Sequence, residues 1–226
     1  MKKAWIVPPK QDAEFVLRME DVLDLYTQPY DPLHPIVCMD EANRQLIEEL
    51  RVALPMIPGH PQTYDHQYKR VGVCNLFIFV EPLAGWRSVE VRDFRRKEEW
   101  VFCIKDLLEN KYKDAEYVTI ILDNLNTHNP AAFYEFFPPG VAKSLLDRIE
   151  FHYTPKHASW LNIAEIEINV LSGQCLKNRI PSKEMMIQQV SFWVVERNKK
   201  FKKVNWQFTT KDARIKLQKL YPSFIA

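Results

Sequence analysis

Between Asp12 and Tyr26 the apolar side chains Phe15, Val16, Met19, Val22, Leu23 and Tyr26 recur at helical spacing. One stripe of that kind predicts an amphipathic helix packed on a core. The prolines of TQPYDPLHP then predict a rigid connector. IVCMD reads as a short apolar strand ending at Asp40, and MIPGHPQTYDHQYKR as a long polar loop. VGVCNLFIFVEPLAGWRSVEVRDF predicts a hairpin, with strands over 71–80 and 86–94 and a turn near Pro82 and Gly85. RKEEWVFCIKDLLENKY returns to helical spacing, with Trp100, Ile104, Leu107 and Leu108 on one face. EYVTIILD reads as a buried strand ending at Asp123. NPAAFYEFFPPG predicts a short helix, with Pro130 near its first turn and Pro-Pro-Gly as its stop. RIEFHYT is the fifth strand, and helices follow over 161–172, 183–199 and 210–220.

The first three strands suit an antiparallel meander, and the last two alternate with helices and so suit parallel pairing. The expected class is α/β, with a mixed five-stranded sheet flanked by helices. That order fits a ribonuclease-H-like fold. We divide the chain into an N-terminal helix and connector (1–35), a central domain (36–200) and a basic helical tail (201–226). With 226 residues, 46% of them hydrophobic, there is material for one substantial core. No apolar run approaches the ~18 residues of a membrane span. MKKAWIVPPK has two lysines but no apolar stretch, so it does not read as a signal peptide. The four cysteines never form a CxxC pair, which argues against a zinc site and a disulfide framework. Cys38, Cys74 and Cys103 sit in apolar runs and are expected to be buried thiols.

The net charge is only +2, but residues 151–226 carry +8 and residues 1–150 carry −6. A basic C-terminal third suits a polyanionic partner; a solvated helical face is the competing reading. Within ERNKKFKKVNWQF, Lys199, Lys200, Lys202 and Lys203 alternate with aromatics and form a candidate clamp on a nucleic-acid backbone.

Two apolar runs end on a carboxylate: Asp40, followed by Glu41, and Asp123, followed by Asn124. Strand ends at the C-terminal edge of a sheet are where α/β proteins place their sites. A single Asp there more often opens a turn or caps a helix. Two on neighbouring strands converge and repel by about 4 kcal/mol at ~4 Å and an effective dielectric near 20. A cation relieves that repulsion. With no nearby His or Cys set, the donors favour Mg²⁺ or Mn²⁺ over zinc. Two such ions serve phosphodiester chemistry. A third acid is available in NIAEIEIN, as Glu165 or Glu167. These lie about 200° apart on a helix, so only one can face a given site. Glu165 shares its side with Asn162 and Asn169, whereas Glu167 lies nearer Ile163, Val170 and Leu171. The polar side favours Glu165, against which stands a capping box formed by Asn162 and Glu165.

VCMDE, ILDNLNTH and HYTPKHASWLNIAEIEINVLSGQCL together resemble, in order, the catalytic blocks of DDE transposases from bacterial insertion sequences related to the mariner superfamily. The likeness extends over NLFIFVEPLAGWR and WQFTTKDARIKLQKLYPS. The resemblance implies a ribonuclease-H-like core and DNA strand cleavage and joining. It also implies two Mg²⁺ or Mn²⁺ ions held by Asp40, Asp123 and Glu165. Its Ser-x-Leu-Asn-x-x-Glu pattern, here Ser159 to Glu165, selects Glu165 over Glu167 and over the capping box. His128, Lys156 and His157 become candidate DNA contacts, each against a bland structural alternative. Trp160 is either a base-stacking platform or a helix anchor. The implied partners are transposon ends and target DNA, with a homodimer at synapsis, in the bacterial cytoplasm at the nucleoid. Relatives carry helix-turn-helix modules ahead of the first acid, whereas this sequence has one helix and a connector there. A separate DNA-reading chain is therefore an expected partner. A ribonuclease-H-like nuclease that cuts without joining, and a non-catalytic assembly module, are the other two function classes.

Overall fold

The computed structural model describes residues 12–51, 54–61, 63, 66–125 and 127–223; the MKKAWIVPPK stretch, and with it the signal-peptide expectation, lies outside them. Helix α1 spans Ala13–Tyr26 and opens on Asp12, whose carboxylate accepts the Phe15 N–H. Its stripe of Met19, Val22 and Leu23 is fully buried, and burial of each such side chain contributes about 1.5–3 kcal/mol. Strands β1 (Ile36–Glu49), β2 (Tyr68–Glu81) and β3 (Trp86–Arg92) follow as an antiparallel meander. Then come α2 (Lys97–Asp106, prolonged by a wide turn over Leu107–Lys111), β4 (Val118–Leu122), α3 (Ala132–Phe136), α4 (Pro139–Leu146) and β5 (Ile149–Tyr153). Helices α5 (Ile163–Gln174), α6 (Lys183–Lys199) and α7 (Thr210–Lys216) complete the chain. The sheet order is β3-β2-β1-β4-β5, with β1–β4 and β4–β5 parallel.

Two expectations are corrected. Strand β1 does not stop at Asp40 but runs on to Glu49. Residues 41–49 are mostly polar, with Leu46 the one buried apolar side chain, so they show no continuous apolar run. Their pairing with β2, from Glu41 opposite Phe77 to Glu49 opposite Tyr68, holds them in the sheet. Pro-Pro-Gly is also more than a stop. Pro139 occupies the first turn of α4, where its missing N–H costs nothing, so the same residues end one helix and start the next.

Strand alternation sorts the core into two layers. Val37 and Met39 face Phe77, Phe79, Ile120 and Leu122 and the α2–α4 layer through Trp100, Ile104 and Phe133. Cys38 faces the other way, with Ile78, Val80 and Ile121, toward α1, α5 and α6. By the same alternation Asp40 continues the Cys38 face and Glu41 the Met39 face. Cys38, Cys74 and Cys103 are buried free thiols, as expected. Among the described residues no helix is long and apolar enough to cross a membrane.

The C-terminal segment folds back over the body. Its backbone passes the β2–β3 turn, where Val204 N–H donates to the Pro82 carbonyl at 3.0 Å. Gly85 has φ +71°, and a Cβ there would meet the Phe201 carbonyl carbon at 2.8 Å, so the close approach needs glycine. Helix α7 then docks on α1: Arg214 forks onto Glu20 at 2.8 and 2.7 Å, and the Tyr221 hydroxyl donates to the same carboxylate at 2.7 Å.

Candidate active site

The β1–β4 register pairs Cys38 with Ile121. Two residues further along each chain, Asp40 and Asp123 reach the same level and the same face. Helix α5 crosses that face, and its first turn carries Glu165. The three carboxylates sense one another. Burial and the charges of Glu165, Asp123 and Glu41 push the Asp40 carboxyl up to about 7, against a 2.7 Å hydrogen bond from the Glu41 N–H. Burial and the Asp123 charge likewise raise Glu165. Asp123 Oδ1 is buried and is met by His128 Nδ1 at 2.7 Å. Among the described residues, no three His, Cys, Asp or Glu side chains are already drawn together tightly enough to hold a metal ion. The arrangement is one of carboxylates under mutual repulsion at one edge of the sheet. Such hard, anionic oxygens fit Mg²⁺ or Mn²⁺ and do not fit a soft metal.

Glu165 and Glu167 separate as their helical angle requires. Glu167 turns inward, where Arg87 Nε and Arg197 Nε donate to it at 2.9 and 2.7 Å. Burial opposes its charge, but the two guanidinium groups hold its carboxyl below the usual range. Arg87 also donates to the Gly85 and Lys202 carbonyls, so this buried cluster ties α5 to β3, α6 and the returning C-terminal segment. The capping box does not form. Asn162 caps α5 through Ala164 N–H, but its own N–H already donates to the Ser159 carbonyl at 2.8 Å, leaving Glu165 nothing to cap.

His128 is corrected from a DNA-facing candidate to an interior one. It is 2% exposed, because the face of β1 that carries Glu41 closes over it. Nε2 lies 3.2 Å from Glu41 Oε1, and Nδ1 lies 3.2 Å from the Asp123 carbonyl and 2.7 Å from Asp123 Oδ1. Both ring nitrogens therefore face acceptors, which calls for the doubly protonated ring. Burial disfavours that charge, yet Asp123 and Glu41 raise the imidazole to about 9. Tyr153 donates to the His128 carbonyl at 2.9 Å, and Arg95 Nε stands 3.4 Å from Glu41 Oε2. Sequence reasoning left Glu41 without a role. The available signal was that consecutive strand residues point to opposite faces, so an acid after Asp40 serves the layer behind the site.

Lys156 and His157 are exposed on the loop after β5, at the same sheet edge as the acids. His157 has φ +63°, an uncommon conformation for a residue with a Cβ. With Arg18, Phe15, Asn124 and Pro155 they line a cavity of about 420 Å³. Lys199, Lys200, Lys202 and Lys203 are exposed but are not brought to the acids. Asp40 pairs with Ile78, and the β2–β3 turn lies beyond Glu81. The basic run seated on that turn is therefore at the edge where β1 and β4 begin, opposite the edge where β4 delivers Asp123. Trp160 packs edge-on against Phe208 at 6.0 Å, as a helix anchor.

A mixed five-stranded sheet with antiparallel first strands, parallel last strands and helices on both faces defines a ribonuclease-H-like fold. The chain belongs to the DDE superfamily endonucleases, whose family profile matches residues 35–187. No curated relative matches it. Among solved structures, the Mos1 mariner paired-end complex with Mn superposes with TM-score 0.58 at 17% identity, over 89% of this chain and 61% of that one. The Mos1 strand transfer complex gives 0.59 at 16% identity, over 89% and 61%. The Mos1 paired-end complex with Mg gives 0.56 at 16% identity, over 99% and 68%. At this identity the likeness is one of fold. The chain spans about three fifths of the length of the first two Mos1 chains.

Proposed function

We propose that this chain is the catalytic domain of a DNA transposase from a bacterial insertion sequence, acting in the cytoplasm at the nucleoid. It hydrolyses a phosphodiester at the transposon end and joins the freed 3′-hydroxyl to target DNA. The observation that supports the reading is that Asp40, Asp123 and Glu165 lie toward one face at one sheet edge, with the Asp40 and Glu165 carboxyls raised by burial and by the charge of neighbouring acids. These three residues would hold two Mg²⁺ or Mn²⁺ ions. Such ions supply charge neutralisation at the phosphate and activation of the attacking oxygen. The chain's own part is positioning. His128 grips Asp123 from behind, Glu41 backs the imidazole, and Arg95 pairs with Glu41. Lys156 and His157 present donors at the mouth of the site, for the backbone of the strand being cut. Lys199, Lys200, Lys202 and Lys203, at the far edge, engage phosphates further along the duplex. Synapsis pairs two copies.

The test is nicking and joining of DNA with Mg²⁺ or Mn²⁺, using a duplex with a pre-nicked end that offers a free 3′-hydroxyl. Asp40→Ala, Asp123→Ala and Glu165→Ala should each abolish both activities. Wild-type activity in any of them rejects the assignment. Nicking without joined product identifies a nuclease instead.

A further inference from the structure

We propose that Asn162 is a positioning residue that sets the separation between the β1 and α5 acids, and with it the affinity for divalent metal. The inference rests on the reading of those acids as metal ligands. Asn162 is 1% exposed, and both ends of its amide are engaged. Oδ1 accepts the Ala164 N–H at 3.1 Å and caps α5. Nδ2 donates to the Met39 carbonyl at 2.9 Å and stands 3.5 Å from Asp40 Oδ2. Ala164 N–H can only donate and the Met39 carbonyl can only accept, so the amide has one possible orientation.

The tie joins the two halves of the site. Met39 immediately precedes Asp40 on β1. On the helix side, the Asn162 carbonyl accepts the Glu165 N–H at 3.1 Å, so the residue that grips the strand also opens the turn carrying the third acid. Tyr26 of α1 steadies the same junction, its hydroxyl donating to the Leu161 carbonyl at 2.7 Å. Further along, α5 is held independently by Glu167 with Arg87 and Arg197. Loss of the Asn162 tie therefore leaves the helix folded but frees its N-terminus relative to β1. Mg²⁺ demands ligand distances of about 2.0–2.1 Å in near-ideal octahedral geometry, so such freedom is felt first at the metal. Ser and Thr keep the cap but are too short to reach Met39 at the same time.

The experiment measures Mn²⁺ binding by electron paramagnetic resonance of free Mn²⁺, with melting temperatures taken in EDTA, on the full chain. Asn162→Ser and Asn162→Thr should weaken Mn²⁺ binding tenfold or more. Val22→Ala, in the fully buried stripe of α1, should lower the melting temperature at least as far and leave Mn²⁺ affinity at the wild-type value. Binding within twofold of wild type in the Asn162 variants overturns the inference. It is equally overturned if Val22→Ala reproduces their loss, or if neither Asn162 variant folds, since the role is then structural. If the wild-type chain binds no Mn²⁺, the metal reading itself falls, and that result is distinct from all of these.

Discussion

Asp40→Asn, assayed without metal, tests the repulsion on which the site is built. The wild-type carboxyl is pushed up to about 7 by burial first and then by Glu165, Asp123 and Glu41. An unfolded aspartate titrates near 3.9. A carboxyl whose folded value is raised binds its proton more tightly in the folded state. Stability is then fully present below about 4 and is lost as pH rises through about 7. The gap of about three pH units, at 1.36 kcal/mol each, bounds the loss at pH 8 near 4 kcal/mol; water reaching the edge of the site halves that to about 2 kcal/mol. Asparagine keeps an oxygen for the Glu41 N–H and removes the charge. In EDTA at pH 8, Asp40→Asn should therefore melt roughly 4–8 °C above wild type for a chain of this size. The difference should close toward pH 4. With Mn²⁺ at a hundred times its dissociation constant the wild type should recover about 2.7 kcal/mol and the variant nothing. Differential scanning calorimetry across pH 4.5, 6 and 8 reads all three. A variant that melts at or below the wild type in EDTA at pH 8 refutes the reasoning.

The two helix acids should respond in opposite ways. Glu167→Gln strands a buried Arg87 and should cost about 3–5 kcal/mol, whereas Glu165→Gln should leave the metal-free melting temperature unchanged or higher; equal losses would refute their separation. His128, raised to about 9 by Asp123 and Glu41 against burial, contributes stability that is full below its ordinary value near 6.5 and lost as pH rises through 9. His128→Gln should flatten metal-free stability between pH 7 and 9, and an unchanged slope on chemical denaturation would contradict the assigned charge. Lys156→Ala should reduce the salt slope of nonspecific duplex binding by about one, checked by fluorescence anisotropy from 50 to 200 mM salt; an identical slope removes Lys156 from the DNA surface.

What could be read from residue order was whatever buries a continuous stripe or run. The α1 stripe, the β2–β3 hairpin, the Trp100 face of α2 and the apolar β4 run were legible because each element hides its own apolar side chains. The second half of β1 was not, because backbone pairing with β2 holds it and a single buried Leu46 among mostly polar side chains makes no apolar run. Nor was α4, because Pro-Pro-Gly has the same composition whether it ends a helix or starts one. At the site, the types and order of the acids are local facts of the chain; Asp40 and Asp123 could be named from them, and Glu165 was chosen over Glu167 by the resemblance of the stretch from Ser159 to Glu165 to the family pattern. Tertiary structure decided which way each one looks. Strand alternation sends Asp40 to the α5 face and Glu41 to His128 behind it. Helical rotation gives Glu167 to two arginines and leaves Glu165 with the acids. Packing of the segment after α6 against the β2–β3 turn places Lys199, Lys200, Lys202 and Lys203 at the edge opposite the one where Lys156 stands. Charge and chemistry travel with the residue, but distance between residues far apart in the chain is set by register and packing alone.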